Sequence, residues 1–202
     1  MSEYEIREPI QKRSIEKKEK IIKSGFELIC EKGYYNTNTA EIAKNAGVST
    51  GIVYQYFKDK HDILIEALRK YADNIFYPML NISANNFDKS NLNDIIRKMI
   101  DSFVQNHKLS KSAHEEIMAM AHLDEEVAFY FHKREMEMTE KIYELLVNNG
   151  FDSENLMERV HICIGLIDNL CHEIVYHRHN GLDYDVMTSI CVDTIVGILK
   201  KD

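Results

Sequence analysis

Apolar residues recur at intervals of three and four along most of the chain, which is the spacing of one face of an α-helix. The first such stretch predicts a helix over about residues 15–32, and Gly33 follows where a left-handed residue commonly ends a helix. Asn38 then stands three residues before Glu41. This capping-box pattern predicts a second, short helix over residues 39–46.

A tight turn is predicted at residues 47–49, Gly-Val-Ser, because its glycine tolerates a positive φ and its serine can cap the next helix. That third helix is expected over residues 50–57, with Phe57 returning to the core. A fourth helix is predicted over about 61–76, and Pro78 is expected to stop or kink it.

The rest of the chain continues the helical pattern after a polar stretch at 81–91 that predicts a loop. Gly and Pro together number 8 + 2 = 10 residues, too few for the turns of an all-β fold. The sequence therefore predicts an all-α protein of about nine helices without strands. The last five helices are expected at about 92–107, 112–121, 124–148, 154–178 and 184–200.

Charge is distributed unevenly along the 202 residues, which carry a formal net charge of −8. Residues 10–60 hold ten Lys or Arg against six Asp or Glu, a balance of +4. Residues 61–202 hold fourteen against twenty-four, a balance of −10. A basic first quarter joined to an acidic body is a reason to test the N-terminal part for DNA binding.

Several classes of protein are disfavoured by what the sequence lacks. The longest apolar run, at 162–167, is far too short to cross a bilayer, and the charged N-terminus has no secretory signal. We therefore expect a cytoplasmic protein without a membrane segment. No phosphate-binding glycine loop, GxSxG or zinc-protease motif is present, so we expect no enzyme activity and no cofactor. The four cysteines include no CxxC pair and are predicted to be small core residues.

Two short helices joined by the turn at 46–49 form a candidate helix-turn-helix, whose second helix lies in the DNA major groove. The segment 50–60 strengthens this interpretation because it combines small, hydroxyl, amide and basic residues. Tyr hydroxyls and Lys ammonium groups bind phosphates, and an amide such as Gln55 can read an adenine edge with two hydrogen bonds. A helical scaffold without DNA binding would fit the acidic body but does not explain this segment.

Residues of about 14–71 resemble the tetracycline-repressor (TetR) family of bacterial transcription regulators. The resemblance implies a DNA-binding domain over residues 10–60, followed by an effector-binding and dimerisation domain over 61–202. The chain departs from the family pattern at Gly25, where Ala is usual, at a cost of about 1 kcal/mol in helix propensity. The positions that carry the resemblance are Ile21, Leu28, Gly33, Tyr34, Thr37, Ile42, Ala43, the segment 46–49, Gly51, Tyr54, Tyr56, Phe57, Lys60 and Leu64.

The same resemblance implies a repressor that binds palindromic operator DNA and names the side chains that contact it. Tyr54, Tyr56 and Lys60 would hold phosphates, whereas Thr50 and Gln55 would face bases. The full set of expected DNA-binding residues is Thr39, Ser49, Thr50, Gly51, Tyr54, Gln55, Tyr56 and Lys60.

The C-terminal body is expected to form a homodimer through residues 154–178 and 184–200, because the first segment is apolar on more than one side. Family layout also implies that this body binds a small apolar or aromatic effector, which releases the DNA. Polar or aromatic side chains beside apolar stripes are the candidate contacts. They are Phe103, His107, His114, Met118, Asn169, His172 and Tyr176.

Nine histidines raise the question of a metal site, and their spacing argues against one. His172 and His177 lie about 140° apart on a helix, so they cannot bind one zinc ion. A di-iron bundle needs two Glu-x-x-His pairs, and the chain has only that of Glu158 and His161. We therefore expect no metal. For Asn169 and His172 three roles stay open: an effector contact, a hydrogen bond across the dimer, or a core network.

Overall fold

The computed structural model describes residues 12–70, 89–109, 111–152 and 154–200. Within these ranges the backbone forms nine α-helices and one short 3₁₀ turn, Lys89–Asn91, and no strand, which confirms the predicted all-α class. None of the described helices combines the length and apolar character needed to cross a membrane. The helices are α1 (Lys12–Lys32), α2 (Thr39–Asn45), α3 (Thr50–Val53), α4 (60–70 as described), α5 (Leu92–Leu109), α6 (Lys111–Leu123), α7 (Glu125–Asn148), α8 (Leu156–Val175) and α9 (Tyr184–Lys200).

Local signals near the N-terminus act as predicted. Gly33 ends α1 with a φ of 86°, and its N–H donates to the Ile29 carbonyl at 2.9 Å. The Asn38 side chain accepts a hydrogen bond from the Glu41 N–H at 3.0 Å, so it caps α2. Phe57 is buried in the core.

Two helices are shorter than the sequence predicts. α3 ends at Val53 rather than residue 57, because the N–H groups of Gln55 and Tyr56 reach back only three residues and tighten the last turn. α8 ends at Val175 rather than 178, where the N–H groups of Tyr176 and His177 both turn back to the His172 carbonyl. The expectations for Pro78 and for most of the loop at 81–91 lie outside the described residues.

Contacts between residues divide the chain into two compact units. The first unit is Met1–Tyr71 with Ser112–Ala128, and the second is Ala72–Lys111 with Phe129–Asp202. The first unit thus contains α4, almost all of α6 and the start of α7 in addition to the three N-terminal helices. The domain boundary predicted at residue 60 divides the chain differently, since it assigns those later helices to the body.

The first unit has a core of buried aliphatic and aromatic side chains. The Ser24 hydroxyl is buried in this core and donates to the Ile42 carbonyl at 2.9 Å, which ties α1 to α2. The buried members of the core are Ile21, Ile22, Leu28, Ile42, Ala43, Val53, Tyr56, Phe57, Ile63 and Ala67.

In the second unit α8 packs against both α5 and α9. Polar contacts hold the edges: Arg97 donates to the Ser189 hydroxyl at 3.0 Å, and Arg159 donates to the Ile198 carbonyl at 3.1 Å. Cys163 and Cys171 are buried, as predicted for core residues, and burial raises the pKa of the Cys163 thiol to about 12. Cys30 and Cys191 are half-buried, and all four cysteines are free thiols.

Gly25 leads to a stability prediction. A Cβ built at this buried position overlaps Cγ2 of Ile63, a β-branched side chain with little freedom to move. Overpacking costs about 1–3 kcal/mol, whereas the helix-propensity gain of Ala is about 1 kcal/mol. Gly25→Ala should therefore lower the free energy of unfolding, measured by urea denaturation. Adding Ile63→Leu, which removes Cγ2, should recover part of the loss; a more stable Gly25→Ala protein would contradict this packing.

Candidate nucleic-acid interface and ligand cavity

The turn between α2 and α3 has the geometry of a helix-turn-helix. Gly47 adopts a φ of 68°, as predicted, and the Val48 N–H donates to the Ala43 carbonyl at 3.0 Å. Ser49 begins α3 through its backbone carbonyl, which accepts from the Ile52 N–H at 2.9 Å, and its side chain makes no capping hydrogen bond. The two short helices are thus joined by a turn of fixed geometry.

The predicted DNA-binding residues differ in how far their side chains are exposed to solvent. Tyr54 is 39% exposed, and Ser49, Gly51 and Gln55 are also exposed. Thr39, Thr50 and Lys60 are half-buried. Tyr56 is only 9% exposed and its ring belongs to the core of the first unit, so its main role here is packing. Its contact with phosphate stays a prediction for the hydroxyl end of the side chain.

Lys60 makes two hydrogen bonds to backbone carbonyls that the sequence does not predict. Its Nζ donates to the Tyr34 carbonyl at 2.6 Å and to the Thr37 carbonyl at 2.8 Å, and it lies 4.3 Å from the centroid of the Tyr34 ring. The ammonium group therefore holds the loop between α1 and α2. A phosphate contact by Lys60 has to share the ammonium group with these two carbonyls.

Glu116 of α6 holds the same loop from another direction. Its Oε1 accepts a hydrogen bond from the Tyr34 N–H at 2.6 Å, and a Cβ at residue 33 would lie 3.3 Å from that oxygen. We call Lys60 and Glu116, with the carbonyls and N–H they bind in the loop 33–37, the loop clamp. Sequence analysis missed Glu116 because it is 82 residues away from Tyr34 along the chain.

Asp124 provides a second polar link within the first unit. Its Oδ1 accepts from the N–H groups of Glu126 and Val127, which caps α7, while its Oδ2 lies 2.9 Å from Nε2 of His61 at the start of α4. Burial alone would raise the pKa of Asp124, but these hydrogen bonds and the charge of His61 outweigh it and lower the pKa. The residues of α7 up to Ala128 belong to the first unit and the later ones to the second.

An apolar cavity of about 50 Å³ lies inside the second unit, lined by side chains of α5, α7, α8 and α9. Every lining side chain is apolar, which suits an apolar ligand rather than a charged one. The residues that line it are Leu92, Ile95, Ile96, Met99, Phe103, Met138, Ile142, Leu145, Leu146, Val160, Cys163, Ile164, Ile167, Ile195 and Leu199.

Four of the predicted effector residues come together in the second unit. The Phe103 ring, which lines the cavity, is 4.6 Å from the ring of His107. The rings of His107 and His172 are 5.5 Å apart, and the Tyr176 ring lies 5.4 Å from that of His172. Burial lowers the pKa of His107, against a smaller opposing effect of the hydrogen bond to the Phe103 carbonyl. We call Phe103, His107, His172 and Tyr176 the aromatic cluster.

The other three predicted effector residues do not join the aromatic cluster in the described structure. Asn169 is exposed on α8. Met118 is half-buried in the first unit. The side chain of His114 lies outside what the structure describes.

Large apolar side chains are exposed along one side of α8 and α9. Ile162 of α8 is 56% exposed and Ile190 of α9 is 60% exposed. Leu166, four residues after Ile162 on α8, and Val186, four residues before Ile190 on α9, are exposed as well. We call these four side chains the exposed apolar face; they lie on the two helices predicted to form a dimer.

Comparison with known proteins agrees with this architecture. Residues 21–67 match the model of the bacterial regulatory proteins of the tetR family. An HTH-type transcriptional regulator of Bacillus subtilis, YerO, itself uncharacterised, is 27% identical over 190 residues, which cover 92% of this chain and 65% of YerO. This chain thus spans slightly less than two thirds of that relative.

Solved structures share the fold over nearly the whole chain. A TetR-family regulator from Mesorhizobium loti superposes with a TM-score of 0.72 at 20% identity, covering 93% of this chain and 98% of that one. A transcriptional regulator from Saccharomonospora viridis, solved in complex with choline, gives a TM-score of 0.67 at 19% identity, covering 90% and 96%.

The loop clamp predicts a structural role for Lys60. Lys60→Met keeps the apolar stem but leaves two carbonyls without their charged donor, so it should lower the free energy of unfolding by about 1–3 kcal/mol. Lys58→Met removes the same charge from an exposed position two residues away and should change stability by less than about 0.5 kcal/mol. Urea denaturation of both variants measures the difference, and equal effects would show that the clamp does not stabilise the fold.

Proposed function

We propose that the chain is a transcriptional regulator of the TetR family, and that it is a repressor that binds palindromic operator DNA as a homodimer and releases it when a small molecule binds. The helix-turn-helix of α2 and α3 carries this proposal, since Tyr54 and Gln55 face solvent at the end of α3. Side chains in that position can reach base edges and phosphates when the second helix enters a major groove. Binding chromosomal DNA would place the protein in the bacterial cytoplasm.

The exposed apolar face supports the homodimer. A palindromic operator needs a reader with two-fold symmetry, and a two-fold interface uses the same patch of both subunits. Ile162 and Ile190 are more than half exposed on neighbouring helices, an arrangement that a second copy of α8 and α9 would cover. Covering these side chains removes apolar surface from water, which favours association.

The apolar cavity supports a small apolar or aromatic effector. A cavity that holds benzene measures about 150 Å³, whereas this cavity measures about 50 Å³. An aromatic effector therefore has to separate the helices that line the cavity. A ligand that binds only the opened form shifts the protein towards it, which is the requirement for release by a ligand. Choline in the Saccharomonospora viridis regulator shows that a protein of this fold can hold a small organic ligand.

We propose that α7, together with α4, transmits the effect of ligand binding from the cavity to the helix-turn-helix. The described residues of α4 belong to the first unit. α7 joins that unit through Asp124 and His61 at its start and lines the cavity with Met138 further along. A helix transmits displacement along its axis because its backbone hydrogen bonds make it stiff. Opening the cavity would thus displace the start of α7. That displacement would change the positions of the two α3 helices of the dimer, which are the helices proposed to enter the major groove.

A salt series tests DNA binding directly. The affinity of the purified protein is measured at rising salt concentration for two duplexes of equal length. One is the DNA immediately upstream of the gene that encodes the protein, called its own region below, and the other has a scrambled sequence. A repressor should lose affinity for both steeply while keeping its preference for its own region, because phosphate contacts release counterions and base contacts do not. Equal affinity for both duplexes at every salt concentration would contradict the proposal.

Gln55 is the residue expected to read sequence. Gln55→Ala should reduce the ratio of specific to non-specific affinity by about 1–3 kcal/mol, the value of a two-bond contact to a base. Lys58→Ala removes an exposed positive charge three residues away and should weaken both affinities about equally, because general attraction to the phosphate backbone carries no sequence information. Electrophoretic mobility shifts on operator and scrambled DNA separate these outcomes. An unchanged ratio for Gln55→Ala would assign base reading to another residue.

The dimer is tested at the exposed apolar face. Ile190→Glu places a charge in the proposed interface and should produce a folded monomer that no longer binds palindromic DNA tightly. Leu123→Glu makes the same change at a position that is 70% exposed but lies on α6. Light scattering should show a dimer for Leu123→Glu and a monomer for Ile190→Glu. If both variants were dimers, the dimer interface would not include Ile190.

A further inference from the structure

We propose that His107, Asp168 and His172 in the second unit bind one divalent first-row transition-metal ion. One ligand atom from each residue lies within 4.8 Å of the other two. The site adjoins the apolar cavity through Phe103, whose ring touches that of His107. It does not rest on DNA binding or on release by an effector.

The backbone brings these ligands together from two helices. Asp168 and His172 are four residues apart on α8, which places them on the same side of that helix. Nε2 of His172 lies 3.7 Å from Oδ1 of Asp168. Two ligands bound to one metal at about 2.0–2.2 Å in tetrahedral geometry are separated by about 3.3–3.6 Å. A small rotation of either side chain therefore closes the site, with His107 completing it from α5.

His107 is oriented as metal-binding histidines usually are. It is only 1% exposed, and its Nδ1 lies 2.9 Å from the Phe103 carbonyl, which can only accept a hydrogen bond. Nδ1 therefore carries the proton, and Nε2 presents a lone pair. Histidines that ligate metals commonly donate their second ring N–H to a carbonyl in this way, which fixes both tautomer and ring orientation. Burial also lowers the pKa of His107, which favours the neutral imidazole that a metal requires.

The donor set indicates the class of ion. Two imidazoles and one carboxylate suit Zn²⁺, Co²⁺, Ni²⁺ or Fe²⁺, whereas Ca²⁺ and Mg²⁺ prefer sites built from oxygen alone. Three protein ligands leave at least one coordination position for water. A second group in the described residues, Asp59, His61 and Asp62, fits less well. There His61 is engaged by Asp124 at 2.9 Å, and the two aspartates accept backbone N–H bonds.

The competing explanation is a polar network in which Asp168 and His172 form an ion pair without metal. Titration of the chelator-treated, full-length protein with Co²⁺ distinguishes the two, because bound Co²⁺ has a visible spectrum that depends on its ligands. Zn²⁺ is then added in competition. The expected result is one Co²⁺ per chain, displaced by Zn²⁺. Weak, non-saturating binding with the spectrum of hydrated Co²⁺ would overturn the proposal.

Variants locate the ion. Asp168→Asn and His172→Gln alter partly exposed side chains, and circular dichroism checks that both proteins fold. Each should weaken Co²⁺ binding at least about tenfold and change the spectrum, since even residues that only support metal ligands cost that much. His132→Gln, at an exposed histidine of α7, should leave binding unchanged. The proposed site would be wrong if Co²⁺ binding survived in both Asp168→Asn and His172→Gln, or if it were lost in His132→Gln.

Discussion

The loop clamp is the constraint on which the first unit depends. The loop 33–37 turns the chain from α1 into α2, and its polar backbone groups need partners once the helices pack. The ammonium group of Lys60 binds two of its carbonyls, and the carboxylate of Glu116 binds its Tyr34 N–H. Charged partners make these bonds stronger than neutral ones. The helix-turn-helix is therefore held from both sides, by a residue just beyond it and by a residue of α6.

The second unit follows a different principle. Its cavity is apolar on all sides, so α5, α7, α8 and α9 are held by packing rather than by specific hydrogen bonds at that place. Packed apolar surfaces separate at a modest cost when a ligand replaces the lost contacts. Phe103, which lines the cavity, also contacts His107, and the ring of His107 lies 5.5 Å from that of His172. Under the proposed function, the apolar cavity would open to accept an effector, while the loop clamp would keep the helix-turn-helix in place.

Local features were predictable from the sequence, and long-range ones were not. The Asn38 cap and the turns at Gly33 and Gly47 depend on neighbouring residues, and the structure has them. Glu116 binds a loop 82 residues away, and no local pattern announces it. The residues proposed as metal ligands come from α5 and α8, so a comparison of histidines within one helix does not bring them together. Asn169 interrupts an apolar sequence but is exposed, because α8 has two apolar sides and only one faces its own core.

The most direct test of this account is the operator affinity of Glu116→Ala compared with that of Glu115→Ala. Both changes remove one negative charge from adjacent positions of α6, but Glu115 is exposed and only Glu116 binds the loop. If α6 is part of the DNA-binding unit, Glu116→Ala weakens operator binding severalfold while Glu115→Ala leaves it equal or slightly stronger. Equal affinities for the two variants would contradict the account, because the hydrogen bond from Tyr34 to Glu116 would then not be needed to position the helix-turn-helix on DNA.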